Sequence, residues 1–432
     1  MHVRYKSDLR LTSCCIVLAV LLCASALRAE ATVHLRIYGN WIPSDEQSYT
    51  AFQQYLAEYQ SLNPHVVIED LGREHNPDKL LTMLVTGTAP DLIALGTQYV
   101  AGFFDQGLLA PVPEYLAARM RNELYPVAVQ GSQLRGALFG IPGQNNVTSL
   151  YFNRYLLDVL GLPQSAPATW DELAGLARKA TRWAADGAMA HPGLVYQNEA
   201  WALNRIGMPM LKSFGGDLID EAGNVVVNSD AFARLVEYFS DGSASYSRLG
   251  YWELAEGRSP YMITFSFYVP SVRARYAGDY VREIGVARLP AGPAGQYSLQ
   301  YGNTYAVVKD SPHQDEVWRL LEWLYFAPGP NGMTRMGHVF ALRGYPPLHV
   351  RDIPGILEMQ EAPFLLGFVE NLAIAFNGEA ELWAAGISGW TFGENIRELL
   401  AGRRTPAEVL QNVTLDLQRQ VAESRGTRVS AP

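Results

Sequence analysis

Val33-His34-Leu35-Arg36-Ile37-Tyr38 runs apolar with alternation, Gly39-Asn40-Trp41-Ile42-Pro43 breaks it, and Ser44-x-x-Gln47 opens the next segment as a capping box. Phe52, Tyr55, Leu56 and Tyr59 then recur at helical spacing on one face. Asn63-Pro64 stops that helix, and Val66-Val67-Ile68, bounded by Asp70 and Gly72, reads as a second strand. Strand, helix and strand at this spacing form a β-α-β unit and hence a parallel pair.

Working outward, the pattern repeats. A helix through Leu80, Leu81 and Leu84 ends at Gly87, and Ala89-Pro90-Asp91 turns into a buried strand, Leu92 to Leu95. Thr169-x-x-Glu172, Ser311-Pro312-x-Gln314 and Thr405-Pro406-x-Glu408 read as further helix starts. The chain is therefore α/β, and its 432 residues suggest two domains. In open α/β sheets ligands sit beyond the carboxyl ends of the strands. That directs attention to Asn40-Trp41, to Gly96-Thr97-Gln98-Tyr99 and to Gln144-Asn145-Asn146.

The N-terminal stretch carries Arg4, Lys6 and Arg10, then an apolar run from Leu11 to Ala26 that is shorter than the roughly 20 residues of a spanning helix. It reads as a secretory signal with small-residue cleavage triplets at Ala24-Ser25-Ala26 and Ala29-Glu30-Ala31, the second leaving a chain that starts near Thr32. Cys14, Cys15 and Cys23 all fall inside that segment, so the exported chain would have no disulfide and no thiolate ligand for a metal. The net charge of −9 becomes −11 without residues 1–31, which argues against nucleic acid and anionic membranes as partners.

Motifs for chemistry are missing. The eight histidines are scattered, and no G-x-S-x-G, G-x-x-x-x-G-K or G-x-G-x-x-G occurs. Asp45-Glu46, Asp171-Glu172 and Asp315-Glu316 sit in first turns of expected helices, where the dipole favours anions. Aromatic residues near turns are plentiful: Trp41, Tyr99, Trp201, Tyr251, Trp252, Phe265, Phe267, Tyr268, Tyr301 and Trp390. Such faces stack on sugar rings, whereas Trp170, Trp318 and Trp323 lie on amphipathic helices and belong to a core.

The stretch from Asp78 to Ile93 resembles the most recognisable segment of family 1 extracellular solute-binding proteins. So, in order, do Phe103 to Leu109, Leu138 to Pro142, Leu150 to Asn153, Thr169 to Leu173, Phe214 to Gly216, Ile284 to Pro293 and Leu400 to Leu410. The resemblance implies a two-lobed periplasmic-binding-protein fold, type II-like, each lobe a mainly parallel sheet flanked by helices and joined by a hinge. After a signal segment, 1–31, it assigns 32–150 and 299–347 to the first lobe and 151–298 and 348–432 to the second. The chain would cross near Thr148 to Phe152 and again near Ser298.

What the resemblance further implies is a monomeric carrier outside the cytoplasmic membrane, not an enzyme, that takes a mono- or oligosaccharide to the permease of an ATP-binding cassette importer without a cofactor or metal. By motif position the ligand would meet Asn40, Trp41, Gln98, Tyr99, Gln144, Asn145 and Asn146, then Gln197, Asn198, Trp201, Tyr268 and Trp390. Phe267, Tyr301, Asn303 and Arg343 complete the candidate set. Amides stand where acids would grip hydroxyls in maltose-binding members, and Tyr268 where tryptophan is common. Two rivals follow from residues: a charged or phosphorylated solute such as a glycerol phosphate ester, for which Arg343 stands out, and a glycan-processing enzyme using Glu379 and Glu381 near Trp383.

Overall fold

The structure, a computed structural model, describes residues 32–39, 46–227, 229–240, 244–246, 252–387 and 389–429. The strands that build its two main sheets are, in chain order, β1 (Val33–Gly39), β2 (Val66–Asp70), β3 (Leu92–Gly96), β4 (Ile141–Pro142), β5 (Asn146–Asn153), β6 (Leu194–Tyr196), β7 (Ala244–Tyr246), β8 (Tyr261–Phe265), β9 (Ile284–Ala287), β10 (Ser298–Tyr301), β11 (Asn303–Val307) and β12 (Ala375–Phe376). The first sheet runs β2-β1-β3-β11-β4 and the second β7-β6-β8-β5-β10-β12, with β9 also on β5.

The β-α-β reading of the N-terminus holds: β1 pairs parallel with β2, Val33 opposite Val66, and the helix between them is Glu46–Leu62. β3 joins β1 on its other side, also parallel. Side chains of β3 alternate between the faces of the sheet, Leu92 and Ala94 into one core, Ile93 and Leu95 into another, which is why the strand reads as an unbroken apolar run. Asp91, buried at the entry to β3, accepts the Arg36 N–H at 2.8 Å and the Ser311 hydroxyl at 2.6 Å, pinning the turn.

Both sheets are mixed rather than mainly parallel. β11 runs antiparallel to β3, and β5 runs antiparallel to β8, β9 and β10. The cause is connection length. β5 enters the second sheet directly from β4 in the first, across Gly143, Gln144 and Asn145, with no helical crossover to reverse its direction. The return is shorter still: β10 ends at Tyr301, β11 begins at Asn303, and Gly302 alone lies between. A Cβ on Gly302 would stand 1.8 Å from the Gln144 carbonyl oxygen, so the two crossings pack backbone to backbone and need glycine there. The chain thus changes sheet at 143–145, before 148–152, and at 302, after 298.

Helix starts follow their caps with one exception. The Thr169 hydroxyl accepts the Glu172 N–H at 3.2 Å, and Thr405 and Glu408 form a reciprocal capping box. Near 311 the helix begins only at Gln314, since Ser311 accepts the His313 N–H and makes a turn instead. Ser44 lies outside the described residues. Trp170 and Trp318 are buried in the cores and Trp323 is half-buried with the Arg335 guanidinium 3.8 Å from its ring. No described helix is long and apolar enough to cross a membrane.

Candidate ligand site

Between the two sheets, where the crossings meet, lies a cavity of about 620 Å³, within the range of small-molecule sites. The segments around it are the ones just past strand ends. β3 hands over at Gly96 to the helix Thr97–Asp105, whose first turn carries Gln98 and Tyr99. Asn303 pairs with Gly96 across β11 and β3, and Tyr301 pairs with Asn146 across β10 and β5, which brings these side chains to one rim. From the second lobe, Trp201 stands in the first turn of the helix Ala200–Ser213 that follows β6, and Phe267 in the 3-10 turn Ser266–Tyr268 that follows β8.

Two close approaches position the remaining wall. A Cβ on Gly393 would lie 1.8 Å from the Ala200 carbonyl oxygen, so the helices Ala200–Ser213 and Thr391–Leu400 touch backbone to backbone and set Trp390 beside Trp201. The helix Arg335–Arg343 is fixed at its start by Thr334, whose hydroxyl accepts the Gly337 N–H at 2.9 Å. At its other end Gly344, in the left-handed region, presses against Val269 of the second lobe. Arg343 and Tyr345 flank that junction and line the cavity.

The aromatic residues form one connected surface. Trp201 packs on Phe265 and Phe267 with ring centres 5.5 and 6.1 Å apart, and Phe265 meets Tyr301 edge-on at 5.3 Å. Beneath them lies Arg205, its guanidinium carbon 3.6 Å from the Tyr301 ring centre, 4.9 Å from Trp390 and 5.5 Å from Trp201. Glu379 accepts from it in a fork, Nε to Oε1 at 2.6 Å and Nη2 to Oε2 at 3.3 Å. Burial opposes the charge on Arg205, but Glu379 and Tyr301 outweigh it and hold the guanidinium above its ordinary range. Glu379, 2% exposed and bound to this cation, is committed to holding the platform.

Ten of the candidate residues named from sequence line the cavity: Gln98, Tyr99, Gln144, Asn146, Trp201, Phe267, Tyr301, Asn303, Arg343 and Trp390. Asn145, Gln197, Asn198 and Tyr268 do not. Asn145 is buried behind the rim and donates to the Pro347 carbonyl at 3.0 Å. Gln197 is buried and Asn198 half-buried at the end of β6. Tyr268, 0% exposed, stacks on Trp252, meets Tyr151 edge-on and accepts the Ala255 N–H. Asn40, Trp41 and Tyr251 lie outside the described residues, as does the side chain of Glu381.

Sequence reading missed His75, Arg205 and Tyr345. Arg205 carried a signal: four residues after Trp201 and so on the same face, it is a cation in the middle of a largely apolar helix whose other cation, Lys212, lies in the last turn. His75 stands in the loop after β2, where its Nε2 accepts the Gly96 N–H at 3.2 Å and its ring meets Tyr99 edge-on. A side chamber of about 280 Å³ shares Gln98, Tyr99 and Trp390 with the main cavity and is closed by Leu134, Trp383 and Ile387. Two other depressions, of about 670 and 780 Å³, involve neither crossing segment nor any of the candidate residues.

The model of the bacterial extracellular solute-binding protein family matches residues 43–329, about two thirds of the chain. A protein of Brucella abortus, described as a binding protein, is 24% identical over 295 residues, covering 63% of this chain and 68% of its own. The maltotriose-binding protein of Pyrococcus abyssi is 22% identical over 356 residues, 79% of this chain and 72% of that one. Among solved structures, the sugar-binding protein MalE from Xanthomonas citri superposes with a TM-score of 0.74 at 16% identity, covering 93% of this chain and all of that one. The likeness shows a two-lobed fold.

Proposed function

The chain belongs to the family of bacterial extracellular solute-binding proteins, and on that premise we propose that it captures a carbohydrate between its lobes and delivers it to the permease of an ATP-binding cassette importer. The observation that carries this reading is the lining of the cavity at the crossings. Amide groups of Gln98, Gln144, Asn146 and Asn303 offer donors and acceptors to hydroxyls, while Trp201, Phe267, Tyr301 and Trp390 supply apolar ring faces. The side chamber behind Trp390 and Tyr99 gives a longer saccharide somewhere to continue.

The residues come from both lobes and converge on two crossings with few backbone torsions to turn. A ligand that touches both walls favours the closed arrangement by its differential contacts, and closure presents a joined surface to the permease. We take the hinge to be 143–145 with Gly302, and the carrier to act as a monomer, exported by removal of residues 1–31. Binding without turnover fits the site, since Glu379 is occupied by Arg205 and no carboxylate lines the cavity among the described residues.

Isothermal titration against mono-, di- and trisaccharides tests the proposal. A 1:1 heat of binding that is lost in Trp201→Ala supports it. Silence across the panel would remove the carbohydrate reading, and release of reducing ends on incubation would replace it with hydrolysis.

A further inference from the structure

An acidic chain, net −9, surrounds this cavity with no carboxylate among the described residues that line it, and with two guanidinium groups. One of them, Arg205, is matched by Glu379. The other, Arg343, has no acidic partner within ion-pair distance among the described residues, and its Nε is buried without a hydrogen-bond acceptor. Among the described residues its one aromatic neighbour within range, Tyr345, lies with its ring centre 5.9 Å away, at the outer limit of a useful cation–π contact.

A basic residue in the last turn of a helix ordinarily answers the helix dipole and the open carbonyls there. Here that task is performed by a different residue. Arg273, from the second lobe, donates both Nη groups to the Leu342 carbonyl at 3.3 Å, and is itself paired with Glu361 at 3.1 Å. Arg343 is therefore not needed to finish its own helix. Its planar fork, held at the junction of Gly344 with Val269, lines the ligand cavity with no carboxylate partner among the described residues.

We infer that the cargo is an anionic saccharide, carrying a carboxylate or phosphate that docks on Arg343. The inference rests on the carbohydrate reading of the same cavity and narrows it. A partly desolvated guanidinium gains most from an oxyanion, which takes two parallel hydrogen bonds from the fork. The rest of the lining fits a ring that brings its own acceptors. Amide, indole and imidazole groups supply donors, and among the described residues of the main cavity no carboxylate stands ready to accept from the hydroxyls of a neutral sugar, while Asp105 of the side chamber is paired with Arg135.

The test is titration calorimetry at about 0.1 M salt with sets of three ligands: neutral mono- to trisaccharides, each beside its uronate and its sugar phosphate. The tightest binder is expected to be an anionic member, at least tenfold tighter than its neutral counterpart, and the uronate and phosphate arms tell the two sources apart. In Arg343→Gln, folded by its circular dichroism melt, that preference collapses, and Arg343→Lys restores part of it because the charge returns without the fork. Neutral members binding as tightly as the anionic ones would overturn the inference and leave the carbohydrate reading standing. So would an Arg343→Gln variant that lowers both affinities by the same factor. Silence of every set overturns both.

Discussion

Replacing Glu379 by glutamine removes one charge and little volume, and isolates the energetics of the pair under the aromatic platform. Arg205 is 11% exposed and Glu379 2%, and their closest atoms are 2.6 Å apart. Unit charges roughly 3 Å apart at an effective dielectric of about 20 attract by about 5 kcal/mol, and desolvation of both offsets much of it. Removing one partner leaves the desolvation of the other uncompensated, a loss of about 3–5 kcal/mol. Glu379→Gln should therefore lower the unfolding free energy of the second lobe by that amount and its melting temperature by on the order of 10 °C. The double variant Arg205→Met with Glu379→Leu removes both charges and should recover most of the loss, because nothing charged is left buried. Urea titration and thermal melts followed by circular dichroism read both quantities. A Glu379→Gln protein within about 1 kcal/mol of the original, or a double variant no better than the single one, would show that the pair is solvated and the reasoning wrong.

Trp201→Ala removes a ring face from the cavity wall and should weaken saccharide binding by about 1.5–3 kcal/mol, roughly 10- to 150-fold in Kd by calorimetry. Tyr268→Phe should leave affinity within about twofold, while Tyr268→Ala, which empties a fully buried site, should cost about 3–5 kcal/mol of stability in urea titration. Burial pushes the Asp352 carboxyl up from 3.8 to about 6, against the hydrogen bonds that Thr334 donates to it. A folded-state value above the unfolded one means stability that is fully present below about pH 4 and lost as pH rises through about 6. Relative to Asp352→Asn, the original protein should therefore lose roughly 3 kcal/mol between pH 4 and pH 7, measured as the difference between two urea-unfolding series.

The N-terminal architecture was legible because its signals are local: a proline stop, the alternation of β1 and the unbroken apolar run of β3 each act within a few residues. The crossings were not, since β5 is uniformly buried from Asn146 to Asn153 and carries no change of periodicity at the change of sheet. That Phe267 reaches the cavity and Tyr268 does not has a geometric cause. Strand β8 ends at Phe265 and a 3-10 turn covers Ser266–Tyr268, so the side-chain period changes from two to three just where the aromatics fall. Phe267 faces the ligand and Tyr268 turns into the core. Arg205 was hidden by its setting, because its role depends on Glu379, 174 residues away.

Native mass spectrometry of the chain, incubated with a mixed pool of neutral and anionic oligosaccharides, puts the central claim to the most direct test. A single 1:1 adduct of saccharide mass, absent when Trp201→Ala and Trp390→Ala are combined, is the expected result. An unliganded spectrum across the pool, or an adduct that survives the loss of both rings, would contradict capture of a carbohydrate in this cavity.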